Sequence, residues 1–124
     1  MKKAIVTNHA PAAIGPYSQA IRAGGMLYVS GMLGIDPTGG ELKEGVLAQA
    51  EQALKNLTAV LVEAGVDTSA VVKTTVFLTD MGAFGGVNEI YAKYFTAPFP
   101  ARSCVEVRAL PKGGLFEIEA IAEL

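Results

Sequence analysis

The 124-residue sequence has one cysteine, one histidine and no tryptophan. A single cysteine excludes an internal disulfide and fits a reducing compartment. A hydrolase triad needs a histidine. The only histidine, His9, lies in a loop next to prolines, where we expect it to be exposed and inert. One His and one Cys also do not make a typical zinc site, so we expect no metal.

The chain also lacks a basic run and a long apolar run. Its 10 Lys and Arg residues are scattered and its net charge is −2, which gives no nucleic-acid footprint. The charged start, Met1-Lys2-Lys3, is followed by only three apolar residues, too few for a signal peptide. No segment has the length of a membrane span. We therefore expect a cytoplasmic protein that binds neither nucleic acid nor membrane.

What the chain has in excess is apolar surface. Hydrophobic residues make up 51% of the sequence and the mean hydropathy is +0.37, which is high for a soluble chain of this length. The length predicts a single domain over residues 1–124 with one core. Excess apolar surface in a small chain is often buried between subunits, so we expect an oligomer.

Hydrophobic periodicity predicts an α+β protein with six strands and two helices. The predicted strands cover residues 3–6, 17–23, 26–32, 71–79, 102–108 and 117–122, and the predicted helices cover residues 46–64 and 83–95. Gly24-Gly25 suits a two-residue hairpin turn, and Asp80 is a candidate cap for the second helix. The order strand, helix, strand over residues 71–108 predicts a parallel pair, and therefore a mixed sheet with both helices on one face.

The last two predicted strands carry charged residues at alternate positions. These are Arg102, Glu106 and Arg108 on the first strand, and Glu117 and Glu119 on the second. The alternate residues are mostly apolar: Ser103, Val105 and Val107, then Phe116, Ile118 and Ala120. We expect the apolar face of each strand to pack on the core, and the charged face to meet water, a partner or a ligand.

Arg102 and Glu117 are the candidate catalytic pair. Pro98-Phe99-Pro100 gives a stiff approach to Arg102, whose guanidinium suits a carboxylate. Glu117 opens its strand after Gly113-Gly114, where a carboxylate could position or deprotonate a water. The alternative is that both are ordinary charges on a solvated face, and spacing alone favours that alternative.

A geometric condition applies to this pair. A simple hairpin would place Arg102 opposite Leu124, about seven positions or roughly 23 Å from Glu117. The two residues can share a site only if their strands are not hairpin neighbours, or if different subunits contribute them.

Three further positions have both a structural and a functional interpretation. Ser30-Gly31 interrupts an apolar run, which indicates either a bulge or close approach of a ligand or another chain. Asn88 lies one turn after Phe84 and needs a partner, either a backbone group or a ligand. Cys104 is on the face of Arg102, and we expect an inert thiol rather than a nucleophile.

Several segments together resemble one known family. Residues 100–107, 110–113 and 117–122 are similar to the C-terminal signature of the Rid family (RidA/YjgF type), the reactive-intermediate enamine/imine deaminases. The resemblance continues upstream through residues 15–20, 28–31, 72–78 and 87–91, and covers almost the whole chain. It implies a chorismate-mutase-like fold and a homotrimer with sites in the clefts between subunits.

The resemblance also implies a reaction. Arg102 would bind the carboxylate of a 2-imino acid, Glu117 would hold a water against the imine carbon, and the products would be a 2-oxo acid and ammonia. No cofactor is expected. The implied substrate-binding residues are Arg102, Tyr17, Ser30, Gly31, Asn88 and Cys104. Met32 departs from the glutamine that many members carry.

Two other functions stay open on the sequence. One is a ribonuclease or translation inhibitor, an activity attributed to some relatives, for which the chain offers no basic patch. The other is a carboxylate-binding regulatory or chaperone-like trimer that uses the Arg102 cleft without chemistry.

Overall fold

A computed structural model describes residues 1–124. The chain forms, in order, β1 (Lys3–Ile5), β2 (Ala20–Ala23), β3 (Met26–Leu33), α1 (Val46–Glu63), β4 (Val71–Leu78), α2 (Phe84–Tyr91), β5 (Ala101–Glu106) and β6 (Phe116–Glu123). Short 3-10 turns precede β4, α2 and β6. The hairpin at Gly24-Gly25 is as predicted, with both glycines at positive φ between β2 and β3.

All six strands form one mixed sheet in the order β1-β2-β3-β6-β4-β5. β4 and β5 are parallel, as the strand–helix–strand order predicts, and every other neighbouring pair is antiparallel. β6 lies between β3 and β4, so β4 separates the strand of Arg102 from the strand of Glu117. The two strands are therefore not hairpin neighbours, which is the first of the two alternatives that would let Arg102 and Glu117 share a site.

The core lies between one face of the sheet and the two helices, which confirms the predicted fold. α1 packs on β3, β6 and α2. Its buried leucines meet apolar side chains of β3, β4 and β6, and the largest fully buried side chains of this set are Leu27, Leu54, Leu57, Leu61, Val76, Leu78, Phe116 and Ile118. The opposite face of the sheet has no helix on it.

Two element boundaries differ from the prediction by more than two residues. The strand predicted from residue 17 begins at Ala20, because the chain before it forms a loop held by the buried Gln19 side chain. The second helix ends at Tyr91 and residues 92–94 continue as turns. Asp80 caps the 3-10 turn before α2 by accepting a hydrogen bond from the Gly82 N–H, and does not cap α2 itself.

The predicted core face of β5 is wrong. Arg102 and Cys104 face the helices, whereas Val105 faces away from them and is 41% exposed. The cause is the parallel register, which aligns Arg102 with Thr74 and Cys104 with Val76, both helix-facing residues of β4. In β6 the prediction is correct, since the alternate residues Phe116, Ile118 and Ala120 are buried.

Candidate active site

A cleft of about 720 Å³ opens on the side of the sheet that carries no helix. It brings together four of the predicted site residues: Tyr17, Ser30, Gly31 and Glu117. Its rim is formed by loop residues 36–40 and by Pro111 and Lys112. No pattern in the sequence predicts that these two loops meet there.

Glu117 lies directly over Gly31. A methyl group added at position 31 would overlap the Glu117 carboxylate, so only glycine leaves room for it. The bulge interpretation of Ser30-Gly31 is supported, because the β3–β6 register is irregular between Val29 and Met32. Close approach of a ligand or another chain to this glycine stays a prediction. The close approach in this chain is made by a carboxylate of the neighbouring strand.

The pKa of Glu117 is raised above its ordinary value. The main cause is burial of the carboxyl group, and the negative charge of nearby Glu119 adds to it. A raised pKa brings a carboxyl group closer to the pH at which it can both accept and return a proton. This combination of a cleft and a perturbed carboxyl group is typical of functional sites.

Ser30 is held in a fixed orientation beside this carboxylate. Its hydroxyl donates a 2.5 Å hydrogen bond to the Ser18 carbonyl, and its N–H donates to the Gln19 carbonyl at 3.0 Å. The hydroxyl proton is therefore already used in a hydrogen bond. Toward a ligand, the Ser30 oxygen can act only as a hydrogen-bond acceptor. Tyr17, half-exposed on the same cleft, adds a phenol group.

The other predicted site residues lie around Arg102 on the helix-covered side of the sheet. The Arg102 Nη1 donates to Asn88 Oδ1 at 2.9 Å. The guanidinium also lies over two aromatic rings of α2, with its carbon 4.7 Å from the Tyr91 centroid and 5.5 Å from the Phe84 centroid. Asn88 therefore has a side-chain partner, and that partner is the candidate anchor itself.

Cys104 lies two residues after Arg102 and is partly buried against the core. Burial raises the pKa of its thiol, and the charge of Arg102 opposes that rise only in part. A protonated thiol is a poor nucleophile. Cys104 is thus suited to lining a site and not to attacking a substrate.

One chain does not bring the two groups together. Glu117 is aligned with Phe77 of β4 on the helix-free face, whereas Arg102 is aligned with Thr74 on the helix face. The two side chains therefore point to opposite faces, two strands apart and about three residues or roughly 10 Å apart along the strands. Tyr17, Ser30, Gly31 and Glu117 form one half-site, and Asn88, Arg102 and Cys104 form the other.

The two remaining positions, Met32 and His9, lie in different surroundings. Met32 is buried in the core, so it offers no polar contact where many relatives have glutamine. His9 is exposed, as expected.

Among the titratable side chains, no cluster of three or more His, Cys, Asp or Glu could hold a metal ion. None of the helices has both the length and the hydrophobicity needed to cross a membrane.

Comparisons with known proteins agree with the fold and the motifs. A family model described as Endoribonuclease L-PSP matches residues 7–124. The chain is 54% identical over 123 residues to a mouse protein named 2-iminobutanoate/2-iminopropanoate deaminase, covering 98% of this chain and 91% of the mouse protein. It is also 54% identical over 125 residues to the RutC family protein y4sK of Sinorhizobium fredii, covering 100% and 99% of the two chains.

A solved structure supports the same assignment. The crystal structure of RidA from the Antarctic bacterium Psychrobacter sp. PAMC 21119 matches with a TM-score of 0.96 and 48% identity, over 98% of this chain and 99% of that one. Full-length identity near one half, together with the shared topology, leaves one assignment: the chain belongs to the Rid (RidA/YjgF) family.

Proposed function

We propose that the protein is a hydrolase that converts 2-imino acids, such as 2-iminobutanoate and 2-iminopropanoate, to 2-oxo acids and ammonia. The observation that carries the proposal is the Glu117 carboxylate, held over Gly31 in a cleft and with a raised pKa. The name of the mouse relative supports the reaction type. The single, unpaired Cys104 supports a reducing, cytoplasmic location.

The proposed mechanism assigns one task to each half-site. Arg102 binds the substrate carboxylate through paired hydrogen bonds. Glu117 holds a water against the imine carbon and takes its proton as the C–O bond forms. Glu117 returns this proton to the nitrogen, which gives the carbinolamine. The remaining hydroxyl proton then passes through Glu117 to the amino group, the C=O bond forms as the C–N bond breaks, and ammonia leaves. Because an imine carbon is already electrophilic, water is the only co-reactant.

We further propose that the active site lies between subunits of a homotrimer, with Glu117 from one subunit facing Arg102 of the next. The opposite faces of these two residues support this arrangement. The helix-free face of the sheet also presents apolar side chains in register, Tyr28 beside Ile121 and Phe77 beside Val105. Tyr28 is 47% exposed, and a neighbouring subunit would cover it.

The two other candidate functions have less support. A ribonuclease must bind a phosphodiester, but the cleft has three carboxyl groups, those of Asp36, Glu117 and Glu119, against the single cation of Lys112. A carboxylate-binding protein without chemistry needs only the Arg102 half-site, and it leaves the placement of Glu117 over Gly31 without a purpose.

The proposal is tested by trapping the imine. An amino-acid oxidase generates 2-iminobutanoate in situ, semicarbazide traps it, and hydrolysis by the protein suppresses the semicarbazone absorbance. We expect suppression by the wild type and a loss of at least about a hundredfold in kcat/KM for Arg102→Ala, because the carboxylate anchor is removed.

Arg22→Ala is the matched control. Arg22 is also an arginine that donates a hydrogen bond, here from Nη2 to the Ala64 carbonyl at 2.9 Å, but it lies on β2 away from both half-sites. Its activity should equal that of the wild type. If folded wild-type protein fails to suppress the trap with several imino acids yet still binds 2-oxo acids, the non-catalytic function replaces the deaminase.

A further inference from the structure

We propose that Tyr91 is a positioning residue, which holds the Arg102 guanidinium in the orientation that receives the substrate carboxylate. This inference rests on the proposed function, because it assigns a role to a residue behind the proposed anchor. Tyr91 lies in residues 87–91, one of the segments that resemble the family, but the resemblance assigned it no role.

Three contacts fix the Tyr91 ring in place. Its hydroxyl shares a 2.7 Å hydrogen bond with Thr74 Oγ1, inside the core. Its ring lies against Phe95, with the two centroids 4.5 Å apart. Its face lies under the Arg102 guanidinium at 4.7 Å. Tyr91 is 6% exposed and Thr74 is fully buried, so this ring cannot turn without disturbing the core.

The hydrogen bond to Thr74 ties the ring to the strand that aligns Arg102. Thr74 of β4 is the register partner of Arg102 on β5. One rigid connection therefore runs from β4 through the Tyr91 ring to the guanidinium of the adjacent strand. The orientation of the Arg102 side chain is therefore set by β4, through Tyr91, as well as by the hydrogen bond to Asn88.

Contact with an aromatic face leaves the edge of the guanidinium free. Arginine has five N–H donors in one plane, and Asn88 occupies one of them. Stacking on a ring uses the face of that plane and none of its donors. The remaining in-plane donors can form paired hydrogen bonds with a carboxylate. Burial also raises the pKa of the Tyr91 phenol, so the ring stays neutral beneath the cation.

The kinetic test separates the ring from its hydroxyl. Tyr91→Leu removes the ring and should raise KM about tenfold with a smaller change in kcat, because a carboxylate anchor acts in the ground state as well as in the transition state. Tyr91→Phe and Thr74→Val each remove only the shared hydrogen bond, and each should raise KM about twofold. The double variant should be no worse than the single ones, since both delete the same bond.

Tyr94→Phe is the control for a merely structural effect. It also removes a tyrosine hydroxyl that bonds a side chain of another element, Glu51 of α1, but it does not touch Arg102. We expect it to lower Tm and leave KM unchanged. If Tyr91→Phe and Tyr94→Phe behave alike in both Tm and KM, Tyr91 is structural only and the inference fails.

A second readout requires no activity. In the unliganded protein, the Arg102 Nε–H proton should give an NMR signal shifted upfield by the two rings. This shift should be retained in Tyr91→Phe and reduced in Tyr91→Leu, where only the more distant Phe84 ring remains. An unchanged signal in Tyr91→Leu would overturn the inference even if imine hydrolysis is confirmed. Conversely, an inactive wild type would refute the proposed function, while the NMR signal still decides whether Tyr91 holds the guanidinium.

Discussion

Glu117 combines two properties that conflict in a folded protein. It lies half-buried over Gly31, and its burial raises the pKa of the carboxyl group above 4.5. The ionised carboxylate is therefore solvated less well in the folded state than in the unfolded state. A carboxyl group in such a position lowers stability, and a proton-transfer role explains why it is there.

We predict that Glu117→Gln makes the protein more stable and less active. Because the folded pKa is raised, the folded state binds protons more tightly than the unfolded state, so ionisation of Glu117 lowers stability as the pH rises from 4.5. At pH 7 the variant should gain about 2 °C in Tm, since a half-exposed carboxyl contributes no more than about 1 kcal/mol. Its kcat should fall about a hundredfold.

Thermal unfolding at several pH values checks the sign. The gain in Tm should shrink and vanish below pH 4.5, where Glu117 is protonated in both the folded and the unfolded state. A gain that does not depend on pH would mean that burial of the charge is not its cause.

At the scale of elements, β3 and the residue after it show two different uses of glycine. Gly31 leaves room for the flexible end of the Glu117 side chain, whereas Gly34 leaves room for the backbone of α1 at Gln49. A side-chain end can move aside, but a packed helix backbone cannot.

We therefore predict opposite outcomes for two alanine variants. Gly31→Ala should fold with a Tm near that of the wild type and lose about tenfold in kcat, because the Glu117 carboxylate is displaced. Gly34→Ala should lose about 3 kcal/mol of stability, because α1 must shift from β3. Circular dichroism melts and the imine-trapping assay on the same preparations measure both, and a destabilised Gly31→Ala would contradict the cleft geometry.

The sequence predicted the helices and strands and their order better than it predicted which face of each strand packs on the core. α1 begins at the predicted residue, and the parallel pair follows from the strand–helix–strand order. The face of β5 could not be predicted, because alternation identifies two faces but not which one meets the core. In β5 the apolar face is turned outward, and the face toward the helices holds Arg102 and Cys104.

The candidate site shows the same limit. Motif resemblance named Tyr17, Ser30, Gly31, Asn88, Arg102, Cys104 and Glu117. The division of the site into two half-sites depends on the register of β4 with both β5 and β6, and no local sequence pattern encodes that register. Tyr91 was missed as a partner of Arg102 for a related reason, since an aromatic residue on a helix face indicates core packing first.

At the scale of the whole molecule, the helix-free face is the feature that a single chain leaves unexplained. It carries the acidic cleft with Glu117, and Tyr28 is half-exposed there. β5 is an edge strand, so a neighbouring subunit can approach Arg102 from the open side. A trimer would cover the apolar face and complete the site by the same contact.

Hybrid oligomers test this account most directly. Arg102→Ala and Glu117→Gln chains carrying different affinity tags are co-expressed, and oligomers that contain both are isolated by two successive tag purifications. In a cyclic trimer where each site takes Arg102 from one subunit and Glu117 from the next, every hybrid has one intact site, so activity should return to about one third of wild type. Hybrids as inactive as the two parent variants would contradict the shared site.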